Sequence, residues 1–133
     1  MRSRTFKDQR AQSVIEFALV FPLIVAVTLS IIQLILYLFI EFNIAQAARN
    51  GARAGSTTNS NSAIYEAVSR SLNDDMGDVV VNMTPASPGS RNRGDLLEVY
   101  IEKKVPIVIP VVGVLMDNGL TARYRSVIRL EKE

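Results

Sequence analysis

The segment from Phe17 to Ile40 reads FALVFPLIVAVTLSIIQLILYLFI and decides the architecture of this chain. It carries no charge, and only Thr28, Ser30 and Gln33 interrupt its apolar character. As a helix it measures roughly 36 Å, and a hydrocarbon core is about 30 Å thick. A chain of 133 residues is too short to bury so long an apolar helix. We therefore predict a transmembrane helix, which satisfies its own backbone hydrogen bonds in lipid.

The charges around this run are asymmetric and predict its orientation. The leader before it holds four cations, namely Arg2, Arg4, Lys7 and Arg10. The positive-inside rule places this end in the cytoplasm and the C-terminal part outside. The rest of the chain is nearly neutral, so the net charge of +2 does not indicate nucleic-acid binding.

The residue types that most often carry chemistry are missing. The sequence has no Cys and no His, which excludes disulfides, thiolate metal sites and the commonest general base. It also contains no phosphate-binding glycine loop and no nucleophile–base pair. We therefore expect no enzymatic activity, no cofactor and no metal site.

The remainder of the chain predicts a small α+β domain. Ile64, Val68 and Leu72 recur at every fourth residue, which indicates a short amphipathic helix over 63–72. Alternating apolar residues predict three antiparallel strands, over 78–84, 95–105 and 120–130. The predicted organisation is an irregular basic leader (1–11), a transmembrane and extended helix (12–55), a polar linker (56–62) and an extracytoplasmic domain (63–133).

Two further segments suggest contacts. Val105 to Met116 is an uncharged loop, too short to span a membrane, that either fills the core, touches the outer leaflet or contacts a partner. Small residues also form one face of the extended helix, so we predict close helix packing there, either with another subunit or with the chain's own domain. The residues of this small-residue face are Ala47, Ala48, Gly51, Ala52 and Gly55.

The junction before the apolar run, AQSVIEF at residues 11–17, resembles the processing site of type IV-like prepilins, particularly those of the Flp/Tad group. The resemblance implies cleavage between Ala11 and Gln12 by a membrane prepilin peptidase, although the family favours Gly where this chain has Ala11. It also implies a Glu16–Phe17 pair, with Glu16 binding the new N-terminus of a neighbouring subunit. From the residues alone, Ser13 and Glu16 also fit a capping box at a helix start.

A second stretch, AARNGAR at residues 47–53, is similar to the segment that follows the anchor in TadE-like proteins. Together the two stretches resemble a TadE-like minor pilin or pseudopilin of the Flp/Tad (tight adherence) pilus. This implies a pilin-like fold in the bacterial inner membrane, with other pilin-like subunits, the prepilin peptidase and the Tad assembly platform as partners. Two alternatives stay open: an unprocessed single-pass scaffold, and a secreted domain cut after Ala47.

Overall fold

One helix, α1, dominates the computed structural model, which describes residues 4–109 and 119–131. It extends from Arg4 to Thr58 and contains the whole apolar run, including Pro22. The leader is thus helical from Arg4 onwards, and the expectation of an irregular leader is wrong for those residues. Extending an existing helix costs less free energy than starting a new one, because each added residue gains a backbone hydrogen bond. The polar leader therefore continues the helix of the apolar run.

The apolar run of α1 is long enough and apolar enough to cross a membrane. Almost none of its most apolar stretch is buried within the chain. Leu19 and Leu23, for example, remain 73% and 65% exposed. A core helix of a soluble protein would be covered on at least one face, so this exposure favours a membrane anchor.

A second helix and a sheet follow α1. Helix α2 extends from Asn61 to Ser71, and only Asn59 and Ser60 separate it from α1, so most of the predicted linker is helical. Asn59 has a φ of 49°, which allows the sharp change of direction between the helices. The three antiparallel strands lie in the order β1-β2-β3, with β1 at Val79–Thr84, β2 at Leu96–Val105 and β3 at Leu120–Arg129. The α+β fold class is confirmed.

The C-terminal half of α1 shares one hydrophobic core with α2 and the sheet. The buried side chains alternate along β2 as its sequence predicts, and those of α2 recur at helical spacing. The core consists of Ile44, Ala47, Ala48, Ala52, Ile64, Val68, Leu72, Leu97, Val99, Ile101, Val105, Ala122 and Leu130. Residues from Ile44 onwards therefore belong to the core of the domain. Tyr37 and Ile40, in the last part of the apolar run, pack against that core, whereas the first part of the run is exposed.

The outer face of the sheet carries opposite charges on neighbouring strands. Arg125 Nε lies 3.1 Å from Glu98 Oε1, and Arg123 Nε lies 3.4 Å from Glu102 Oε2. Both arginines are more than half exposed, so each pair contributes little to stability. This face is a solvated charged surface, as the alternation of the two strands predicts.

Candidate membrane anchor and subunit-packing site

The residues of the predicted processing junction lie on the surface of α1. Ala11, Gln12, Glu16 and Phe17 are all exposed, and the Phe17 and Phe21 rings pack at 5.6 Å between centroids. The Gln12 side-chain amide donates a hydrogen bond to Glu16 Oε1 at 3.2 Å across one helical turn. The capping-box alternative is wrong for the intact chain, because α1 begins at Arg4, well before Glu16.

Glu16 is the acidic group nearest the start of the apolar run. Among the side chains that the structure describes, from Ala11 onwards, none forms an ion pair with it. A carboxylate at the edge of the hydrocarbon is costly unless it gains a charged or hydrogen-bonding partner. The geometry therefore leaves Glu16 accessible to a cation from a neighbouring molecule.

The small-residue face packs against the chain's own domain. Ala47, Ala48 and Ala52 are at most 1% exposed. A Cβ atom added to Gly51 would lie 2.8 Å from Val68 Cγ2, and one added to Gly55 would lie 2.5 Å from Leu97 Cδ2. The absence of a side chain at these glycines is what lets α2 and β2 approach α1 so closely. Of the two partners that the sequence leaves open, the structure places the chain's own domain on this face.

The polar residues of the apolar run satisfy their hydrogen bonds in two ways. The hydroxyls of Thr28 and Ser30 donate to the carbonyls of Ile24 and Ala26 in the same helix, each at 2.8 Å. Such bonds hide a hydroxyl from lipid without any outside partner. These two hydroxyls therefore add little to the free-energy cost of placing the apolar run in lipid.

Gln33 instead binds the loop after β2. Its Nε2 donates to the carbonyl of Pro106 at 3.0 Å, and the backbone N–H of Val108 donates to its Oε1 at 2.7 Å. Gln33 is only 8% exposed. Sequence reasoning missed this contact, although one signal was present, namely a lone amide in an apolar run. Of the predicted loop 105–116, residues 110–116 lie outside the described residues.

A groove at the C-terminal end of the apolar run is lined by two adjacent lysines. Lys103 and Lys104 line it together with Phe39, Ile40, Asn43 and residues from the end of α2. Lys103 Nζ also lies 2.6 Å from Asp75 Oδ2, and this hydrogen bond with its charge holds the pKa of Asp75 below its usual value. Within the described part of the chain, no group of three or more acidic residues is placed to hold a metal ion.

Comparison with known protein families finds a match in the N-terminal half of the chain. Residues 11–53 match the model of the family described as TadE-like protein. The matched segment contains the predicted processing junction, the apolar run and the AARNGAR stretch, so the resemblance to TadE-like proteins is confirmed over these residues. No curated protein and no solved structure matches the chain.

Proposed function

We propose, on the premise that residues 11–53 carry a TadE-like segment, that the chain is a membrane-anchored minor pilin or pseudopilin acting in Flp/Tad pilus assembly. One observation carries the proposal: a single helix has an exposed apolar half and a second half built into a folded domain. The exposed half needs lipid or neighbouring helices to cover it. The domain supports a minor rather than a main subunit, since a main Flp pilin has little after its helix.

The role we propose is structural. The anchor stores the subunit in the bacterial inner membrane with its N-terminus in the cytoplasm, and the peptidase then cuts between Ala11 and Gln12. Cleavage removes the cations that hold this end in the cytoplasm and creates an ammonium at Gln12. Glu16 of one subunit then pairs with that ammonium on a neighbour, which neutralises both groups and sets the register between the two helices.

The mature N-terminus tests the processing step. We expect protein purified from membranes of cells that contain the peptidase to begin at Gln12, as read by intact mass and N-terminal sequencing. Ala11→Gly should be cut at least as well because it restores the residue that the family favours, whereas the bulky Ala11→Leu should remain uncut. An intact start in every variant would favour the unprocessed scaffold, and a start at Ala48 would favour secretion.

Removal of the Glu16 charge tests the assembly step. Glu16→Ala and Glu16→Gln should insert normally but lower incorporation into pili by roughly tenfold or more, because a charge-assisted bond contributes about 1.5–3 kcal/mol. Glutamine keeps the size of the side chain, so a shared loss identifies the charge as the cause. Glu41→Ala, at the other end of the apolar run, is the control. Normal incorporation of both Glu16 variants would contradict the proposed pairing.

The secreted alternative is less favourable because of what the cut would remove. Ile44 and Ala47 are both fully buried in the domain core. A cut after Ala47 would take both residues away and leave their neighbours facing an open gap.

A further inference from the structure

Both described ends of the loop between β2 and β3 meet α1 inside its apolar run. Pro106 and Val108 are bound through their backbone to the Gln33 side chain. On the other side of the loop, Leu120 lines a small cleft with Ser30, Leu34 and Tyr37. The domain therefore contacts α1 within the apolar run, on the N-terminal side of Ile40, the last residue of that run.

The depth of this contact follows from the helix geometry. Gln33 lies seven residues before Ile40, the last residue of the run, which corresponds to about 10 Å along α1. About 20 residues are needed to cross the hydrocarbon, so a helix that enters lipid at Phe17 leaves it near Leu36. Gln33 and the loop backbone bound to it then lie in the outer part of the acyl layer.

The chemistry of the loop suits this position. Irregular backbone is tolerated at membrane depth only where its polar groups find partners. Pro106 has no N–H to satisfy, and the amide of Gln33 satisfies the Pro106 carbonyl and the Val108 N–H together. The exposed side chains here, Pro106 and Val108, are apolar. Charges start just above them at Lys103 and Lys104, which border the groove beside Phe39 at the level of the headgroups.

We propose that the tip of the domain, formed by residues 106–109 and Leu120, lies in the outer acyl layer as a second, shallow membrane contact. Gln33 is the polar tether that fixes the tip at this depth. The inference rests on the proposed anchor, because the depth is measured along α1. It favours lipid over another subunit because the tip is continuous with the lipid-facing surface of α1 and meets lipid whenever the chain is stored in the membrane. This second membrane contact holds the domain at one angle to the bilayer.

A single labelled cysteine measures the depth, since the chain has no cysteine of its own. The full chain, carrying a fluorescent label at Val108→Cys, is placed in lipid nanodiscs, where both faces are open to solvent. Ile24→Cys in the anchor and Asn82→Cys on β1 are the references, both at exposed positions. We expect lipid-borne quenchers near the headgroups to quench the Val108 label, deeper ones to quench Ile24, and iodide to quench Asn82.

The outcomes separate the tip from the anchor. Iodide quenching at Val108 with lipid quenching at Ile24 would overturn the inference and leave the anchor intact. Protection of Val108 from both kinds of quencher would indicate a protein partner and would also overturn it. Iodide quenching at Ile24 would contradict both the proposed membrane anchor and the proposed membrane contact of the tip.

A variant of the tether tests the role of Gln33. In the Val108→Cys background, Gln33→Leu should lose most of the lipid quenching at Val108, because the loop backbone no longer has polar partners at that depth. Thr28→Ala, which removes a hydroxyl bonded within α1 and outside the cleft at Leu120, should leave the quenching unchanged. Lipid quenching at Ile24 should persist in both variants. Equal quenching at Val108 in the two variants would refute the role of Gln33 as a tether.

Discussion

Gly55→Val is expected to destabilise the C-terminal α+β domain by about 3 kcal/mol while leaving the apolar run of α1 helical. A Cβ atom at this position would lie 2.5 Å from Leu97 Cδ2 and 2.7 Å from Ile64 Cδ1. Both side chains are fully buried, so neither has free space into which to move. Thermal unfolding of the full chain in detergent, followed by the near-ultraviolet circular dichroism of its tyrosines, measures the loss.

The matched control for this variant is Gly77→Val. A Cβ atom on Gly77 would meet only Asp75 Oδ1, at an ordinary 3.5 Å, so we expect little change in the unfolding midpoint. Equal midpoints for the two variants would show that α1 does not pack on α2 and β2 as described. A Gly55→Val chain that folds normally but fails to enter pili would instead assign the small-residue face to another subunit.

A fragment that starts at Ala48 is expected to remain unfolded, whereas one that starts at Glu41 is expected to fold as a soluble domain. The shorter fragment lacks Ile44 and Ala47, which are fully buried in the core. Losing a large buried side chain such as Ile44 costs about 2–5 kcal/mol, and a small domain has only about 5–15 kcal/mol in total. Thermal melts followed by circular dichroism distinguish a cooperative transition from none.

Two substitutions in the longer fragment separate lost packing from lost length. Ile44→Ala should lower the free energy of unfolding by about 2–5 kcal/mol. Phe42→Ala should have little effect because Phe42 is 62% exposed. Equal stability of the fragments starting at Ala48 and Glu41 would contradict the shared core and would restore the secreted domain as a viable alternative.

Most of the secondary structure could be predicted from local patterns. Each of these patterns depends on residues within a few positions of one another. They are the uncharged run, the four-residue spacing of apolar residues in α2, and the alternation in the three strands. The two local errors have a common cause. The leader is polar and highly charged, and the stretch at 56–62 is rich in Ser, Thr and Asn, so neither shows the apolar periodicity of a helix. Each nevertheless adjoins a strong helix that extends into it.

The sequence by itself determined that the chain has an exposed apolar helix and a small α+β domain, because periodicity and charge are local properties. Only the tertiary structure decided what covers the small-residue face and what Gln33 binds. Gln33 contacts Pro106 and Val108, which lie 73 and 75 positions further along the sequence. The fit at Gly55 likewise depends on Leu97, far along the chain. No short window of sequence encodes such pairings, since they exist only when the folded backbone brings distant segments into contact.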